Sequence, residues 1–463
     1  MSKLKLKGKE LRAIGFPEGP VISIAMNIME KNFKHKDKAE ALQLLRSVLA
    51  EPKRFFEHEL FGKIAEPLLP KEVIENFEIP LKNVSVDFNI FGGEYIEAGA
   101  LEQMNYATKL PIAVAGALMP DAHQGYGLPI GGVLATDNAV IPYGVGVDIG
   151  CRMCLSIFDI DPGDLEEKEN YYKRELLEST LFGAGKEFKK PTEHEVLERK
   201  EFYEIGLLRQ LQSKAAAQIG SSGSGNHFVE FGIIDLDDGL GIPKGKYVGL
   251  LSHSGSRGLG ANIANHFTKI AKQKRLLPKS AANLSWFTLD EEEGIQYWKA
   301  MNLAGDYASA CHHIIHDKIA KQLGRHPLKM VENHHNFAWK EMYNGKEVIV
   351  HRKGATPAGK DVLGIIPGSM TAPGFIVKGQ GEEASLSSAS HGAGRKMSRT
   401  AAMKSITHET LRDELKKHGV KLIGGGLDEA PGAYKDIEAV MQSQKQLVDV
   451  VGKFYPKIVR MDG

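Results

Sequence analysis

The residues best able to do chemistry in this chain stand in glycine-rich segments. Asp148-Ile149-Gly150-Cys151 follows Pro142-Tyr143-Gly144-Val145-Gly146-Val147. A carboxylate and a thiol three residues apart can meet one cation if the turn is tight, and a metal would hold the cysteine as thiolate. A buried cysteine beside a capping aspartate fits the same residues. Gly223 to Glu230 reads GSGNHFVE, a loop running into a strand. Strict alternation puts Asn226 and Glu230 on one face and His227 on the other. All three serve one site only if His227 precedes the pleat; otherwise it is a core histidine at a strand start.

Two further segments suit phosphate. Tyr247–Leu251 reads as a strand that leads through His253-Ser254-Gly255-Ser256-Arg257-Gly258 into a helix. Free N–H groups and the helix dipole favour an anion there, and Arg257 adds a bidentate fork. The spacing is not that of a Walker A loop, and an ordinary strand-to-helix turn is the alternative. Ser390-His391-Gly392-Ala393-Gly394-Arg395 repeats the layout. A histidine just ahead of a helix start that holds a phosphate can attack phosphorus, which makes His391 a candidate nucleophile.

Asp148, Cys151, His227, His253 and His335 together offer one carboxylate, one thiolate and three imidazoles. That set suits Zn, Fe, Co or Mn without choosing among them, and two metals bridged by the cysteine would use all five. His312 and His316 have metal spacing but lack the glutamate of an HExxH motif, so a solvated helix face is expected. Cys311 is expected in the apolar core, and Cys154 is read as packing.

The elements that must position these groups are mixed. Residues 1 to about 90 read as a helical, basic extension opening with Lys3, Lys5, Lys7 and Lys9, and residues 91–463 as one catalytic domain. Ala39 to Ala50 repeats apolar residues at helical spacing and stops before Pro52. Glycine-rich strands and turns fill Ile96 to about Met153, and charged, mostly helical sequence fills 155–220. Tyr297, Met301, Ala304, Ala308, Cys311 and Ile315 mark one face of a long helix. Phe337–Arg352 predicts a hairpin turning at Asn344-Gly345. That register sets Tyr343 opposite Lys346 and Asn336 opposite Lys353, so His335-Asn336 come to lie beside His351-Arg352-Lys353. Helices are expected after Gly392–Arg395 and over roughly Ile437 to Val451. Without steady strand–helix alternation the fold class is α+β rather than a doubly wound sheet.

Composition sets the limits. The 463 residues are 42% apolar and 25% charged, ordinary for a globular enzyme with ample core. Lysine and arginine (59) balance aspartate and glutamate (58), so any nucleic acid must be attracted by a local patch. Three cysteines cannot form a disulfide framework, and the apolar stretch Val21–Met29 is too short to span a bilayer. The cytoplasm is the expected compartment, with no membrane partner.

The same segments resemble the RtcB family of RNA ligases. Met119-Pro120-Asp121-Ala122-His123-Gln124-Gly125-Tyr126-Gly127 is similar to its PDxHxGxG signature. VGVDIGC, GNHFVE, HSGSRG, His335-Asn336, HRKGAT at 351–356, PGSM at 367–370, HGAGR and Glu429–Ile437 follow in family order, from about residue 95 to 463. The resemblance implies a single large α+β domain of its own kind, GTP, and two Mn(2+) ions. One ion would be held by Cys151, His227 and His253, the other by Asp148, Cys151 and His335. It implies guanylylation of His391. Asn226, His227, Phe228, Val229, Glu230, His335, Asn336, Pro367, Gly368, Ser369, Met370, Gly392, Ala393 and Gly394 would line the guanylate. Arg257 and Lys353 match basic positions that contact phosphate.

The implied reaction joins an RNA 3′-phosphate or 2′,3′-cyclic phosphate end to a 5′-hydroxyl end, in RNA repair or tRNA splicing, with room for an activating protein partner. A metal-dependent phosphodiesterase that does not ligate, and a non-catalytic RNA-binding relative, are the competing readings. The chain departs from the family at two places. Asp462 stands where members carry a lysine that contacts the guanine, and Gly374 stands where a serine approaches the nucleotide. Both predict relaxed base selectivity, with Arg460 the neighbouring cation able to compensate.

Overall fold

The computed structural model describes residues 4–56, 58, 60–69 and 77–463, and its contacts divide the chain into two compact units, Met1–Phe77 and Glu78–Gly463. The first unit is helical. Its Lys38–Ala50 helix starts where the Asp37 carboxylate accepts a hydrogen bond from Ala39 N at 2.8 Å. Ala41, Leu45 and Val48 form its buried face, packed with Leu11, Ala25, Met29 and Ile64.

Two sheets organise the second unit. One runs in the order Phe88–Ile90, Ala113–His123, Ile130–Thr136, Lys346–Lys353, Asn336–Tyr343. The hairpin at its edge has the expected register, from Tyr343 opposite Lys346 to Asn336 opposite Lys353. Asn344 and Gly345 both take positive φ (48° and 77°), as a two-residue hairpin loop demands.

The other sheet runs Leu363–Ile366, Gly374–Gly379, Val448–Met461, Phe228–Leu236, Gly245–Ser254, Arg152–Phe158, Lys329–His334, with Lys421–Ile423 added beside Val448–Met461. Pairing is antiparallel throughout both sheets except at Phe88–Ile90 and Lys421–Ile423, so the α+β class holds. Behind the second sheet runs the helix Glu292–Leu323, which buries Tyr297, Met301, Ala304, Ala308, Cys311 and Ile315 as expected. Among the described residues no helix is long and apolar enough to cross a membrane.

Several expectations are corrected. The helix begun at Ile437 stops at Gln442, and Val448–Met461 is instead a 14-residue strand with sheet partners on both sides. Those pairings override local sequence, and the β-branched residues Val448, Val451, Ile458 and Val459 suit the pleat. After Gly392–Arg395 the chain stays irregular until a helix at Arg399–Ser405. Ala98–Thr108, inside the stretch read as strands and turns, is a helix. His312 and His316 are not on a solvated face: they are 0% and 1% exposed, because the long helix is wrapped on more than one side.

Candidate functional site

The Asp148–Cys151 turn is built by glycine. Gly146 and Gly150 take φ of 99° and 68°, and a Cβ on Gly150 would come within 2.8 Å of Gly305 Cα in the long helix. The turn is stitched to the start of the hairpin, with Gly150 N donating to Asn336 O (2.8 Å) and His335 N to Cys151 O (3.0 Å). His227 lies one residue ahead of the Phe228–Leu236 strand, outside the regular pleat, which frees it to face the same point as Cys151. His253 stands near the end of the adjacent strand, opposite Phe228 and Met153.

All five expected ligands therefore come together. Cys151 Sγ lies 3.1 Å from His253 Nε2 and 3.5 Å from His227 Nε2. His227 Nε2 lies 3.0 Å from Asp148 Oδ2, and His253 Nε2 lies 3.2 Å from His335 Nε2. Asn226 O accepts the Nδ1 proton of His253 at 3.0 Å, which leaves a lone pair on Nε2. Burial opposes ionisation of Asp148, yet the His227 ring beside it holds the carboxyl down at about 2. Burial and the Asp148 charge push the Cys151 thiol up. Burial and the neighbouring His227 bring His253 down to about 3, while burial and His391 lower His335.

The donor set fits a metal. Ligand atoms of Cys151, His227 and His253 all lie within 4.8 Å of one another, and the Nε2 atoms of His253 and His335 face each other at 3.2 Å. A thiol held neutral by burial and lone pairs directed at one another are what a borderline cation would satisfy.

His391 is set beside this cluster, its ring centroid 5.0 Å from that of His335. Its position is fixed by Asp121, at the end of the Ala113–His123 strand. Asp121 Oδ2 accepts from His391 Nδ1 (2.6 Å), His391 N (3.1 Å) and Gly392 N (3.3 Å). Asp121 has no solvent exposure; burial opposes its charge, but pairing with His391 keeps the carboxyl below its usual range. Gly394 must be glycine here, since its φ is +72° and a Cβ would fall 2.1 Å from Asp121 O. Lys435 completes the joint by donating to Pro120 O and Ala122 O. A buried carboxylate therefore orients His391, in place of the expected helix N-terminus.

His253, His335 and His391 open on a cavity of about 300 Å³, whose lining does not include Asp148, Cys151 or the expected His227. Asn226, Phe228, Glu230, Pro367, Gly368, Ser369, Met370, Gly374, Gly392, Ala393 and Gly394 line it, together with His253, His335 and His391. Burial pushes the Glu230 carboxyl well up.

Other expected residues sit behind this wall. Val229 faces the core. Asn336 braces the cluster by donating to Asp148 O (3.3 Å) and accepting from Gly354 N (2.9 Å). Lys353 donates to the carbonyls of Tyr126 and Tyr143, and burial lowers its ammonium to about 7. Arg257 opens the Arg257–Lys274 helix and is tied to Ser221 Oγ (3.0 Å) and Gly183 O (2.7 Å).

Asp462 also stays off the cavity wall, near Gly183. Arg460 turns away, donating to Leu176 O at 2.7 Å and lying over Phe182. Among the cavity residues without an assigned role are His123 and a polar group of Arg395, Arg399, Glu429 and Tyr434, joined by ion pairs of both arginines with Glu429 and by a Tyr434 hydroxyl bond to it. Asp121, His123, Arg395, Glu429 and Tyr434 all lie within the family-like segments 119–127, 391–395 and 429–437, which is the signal the sequence holds for them.

A family profile described as tRNA-splicing ligase RtcB matches residues 103–206 and 186–462. The RNA-splicing ligase RtcB of Escherichia coli K12 is 34% identical over 394 residues, covering 78% of this chain and 93% of that protein. The tRNA-splicing ligase RtcB of Thermococcus kodakarensis is 31% identical, with 74% and 86% covered. That of Nanoarchaeum equitans is 29% identical, with 83% and 97% covered.

Proposed function

The chain belongs to the RtcB family, and from that premise we propose that it is a GTP- and manganese-dependent RNA ligase acting in the cytoplasm. It joins RNA 3′-phosphate ends to 5′-hydroxyl ends, in tRNA splicing or RNA repair, through guanylylated His391. The observation that carries the reading is the pairing of Asp121 with His391. With Nδ1–H committed to a buried carboxylate, the His391 lone pair is confined to Nε2, and the ring sits beside the cluster and on the cavity.

His391 Nε2 attacks the α-phosphorus of GTP and pyrophosphate leaves; the cation forming on the ring is offset by Asp121. An RNA 3′-phosphate oxygen then takes GMP from His391, giving an RNA end capped by a diphosphate-linked guanosine. The 5′-hydroxyl of the second RNA attacks the RNA-side phosphorus and releases GMP. A 2′,3′-cyclic phosphate end is first opened by water. Manganese would be held by Asp148, Cys151, His227, His253 and His335, where it would neutralise charge developing on phosphate oxygens. Glu230 on the cavity wall supplies an acceptor for the guanine N–H edge, and Arg395 and Arg399 supply cations for phosphate.

Incubating the purified protein with α-labelled GTP and manganese tests the reading. An acid-labile labelled protein band, chased by 3′-phosphate RNA, is expected. Opening of cyclic phosphate with no adduct and no joining would make the protein a phosphodiesterase instead.

A further inference from the structure

The strand that carries His253 also carries polar groups that never reach the cavity. Ser252 and Ser254 flank His253, so their side chains point to the opposite face. There the Glu292–Leu323 helix presents His312 and His316, one turn apart, and the Arg152–Phe158 strand presents Cys154 and Ser156. Ser156, Ser252, Ser254, His312 and His316 are all at most 1% exposed.

These groups form one chain of hydrogen bonds with a single direction. His312 Nε2 lies 3.1 Å from Ser254 O, and a carbonyl can only accept, so Nε2 carries the proton. His312 Nδ1 is then a lone pair and accepts from the Ser252 hydroxyl at 2.6 Å. Having given its hydrogen away, Ser252 Oγ accepts from His316 Nε2 at 2.7 Å. His316 Nδ1 in turn accepts from Ser156 Oγ at 2.7 Å. Each assignment forces the next, and no imidazole nitrogen is left over.

We propose that His312 and His316 are positioning residues for the metal centre, acting through Ser252 and Ser254 to fix His253 from behind. In front, Asn226 O fixes the His253 ring through Nδ1; behind, the residues on both sides of it are tied to the long helix. Both constraints aim Nε2 at Cys151 and His335. Cys154, with its Sγ near the two histidines, makes the same cluster resemble a second metal site. Both nitrogens that converge at its centre already meet the Ser252 hydroxyl there, so the serine fills the place an ion would need. The inference rests on the reading that Asp148, Cys151, His227, His253 and His335 bind metal.

Cobalt(II) binding to the metal-stripped full chain tests it, read as dissociation constant and as the thiolate-to-cobalt absorption band. Wild type binds with a band that Cys151→Ala loses; no binding by wild type would defeat the centre and this proposal together. Ser252→Ala should weaken cobalt binding by about tenfold, Ser252→Thr should restore it, and Cys154→Ala should leave it unchanged. Ser252→Ala binding as tightly as wild type would overturn the proposal and leave the centre standing. Cobalt retained by Cys151→Ala, with a thiolate band that Cys154→Ala abolishes, would make the cluster a metal site and overturn it equally. Nitrogen NMR of labelled histidines in the metal-free protein is an independent arm: both His312 and His316 should be Nε2–H tautomers, and Nδ1–H at either overturns the chain.

Discussion

Nδ1 of His391 lies 2.6 Å from Oδ2 of Asp121, a carboxylate without solvent exposure that also takes the backbone N–H groups of His391 and Gly392. One oxygen thus fixes the ring, its tautomer and the loop that carries it. Asp121→Asn keeps the shape, but the amide can turn an N–H toward Nδ1 and move the histidine proton to Nε2. Adduct formation should fall by about 10²–10⁴-fold with metal content unchanged, whereas His391→Ala should abolish the adduct. Labelled-GTP adduct assays beside elemental analysis decide it; an unimpaired Asp121→Asn would detach Asp121 from the chemistry.

Cys151 touches both halves of the ligand cluster, within 3.5 Å of His227 and His253 and hydrogen-bonded through its backbone to His335. Cys151→Ala should therefore lose most bound metal. Cys154→Ala and Cys311→Ala should keep it, since both thiols face the core. Equal metal in Cys151→Ala and wild type would rule out a bridging thiolate.

Base selectivity should be looser than the family pattern implies. Asp462 stands off the cavity wall and Arg460 is turned to Leu176 O, so neither side chain is directed at the cavity as a donor for a base. One missing charge-assisted hydrogen bond corresponds to about tenfold, so the preference for GTP over ATP should shrink by about that factor while Glu230 still reads the N–H edge, and ITP, which keeps O6, should be discriminated only through its missing amino group. Asp462→Lys should widen the gap. Strict dependence on GTP would mean that Arg395 or Arg399 reads the base.

Glu332 should govern part of the acid limb of stability. Burial opposes its charge, but His313 and Arg152 (3.1 Å) hold the carboxyl down to about 2 from 4.5. A depressed acid contributes stability that is complete above its unfolded value, and here it is lost as pH falls from about 4.5 toward 2. His313 stays protonated across that window and adds no slope. Glu332→Gln should flatten the pH dependence of the unfolding midpoint in that range and cost about 1–3 kcal/mol at neutral pH by leaving Arg152 unpaired. An unchanged acid limb would show that the pair is screened by solvent.

What the sequence made legible was what short-range chemistry decides. Asn344-Gly345 sets a hairpin register, and the register alone carries Asn336 to Lys353. The need for His227 to precede the pleat was visible from alternation. What stayed hidden depends on partners far away. Asp121 and His391 are 270 residues apart, so in the sequence the carboxylate is only one letter of a signature, and the helix start expected at His391 lies eight residues on, at Arg399. His312 and His316 looked solvated because polar side chains usually are; only the three-dimensional pairing with Ser156, Ser252 and Ser254 O gives them a reason to be buried.

The place of Val448–Met461 in its sheet has a consequence in time. It comes latest in chain order, yet it lies between Gly374–Gly379 and Phe228–Leu236 and contributes Pro456, Val459 and Met461 to the cavity wall. A ribosome delivers the Phe228–Leu236 strand long before the neighbour that covers it. Throughout that interval the two strand edges it will pair with stay open, the kind of edge on which strands of other chains can add. The sheet becomes continuous only once residues 448–461 are in place, so a chain interrupted after Leu447 would carry Asp148, Cys151, His227, His253, His335 and His391 and still lack Pro456, Val459 and Met461 of the cavity wall.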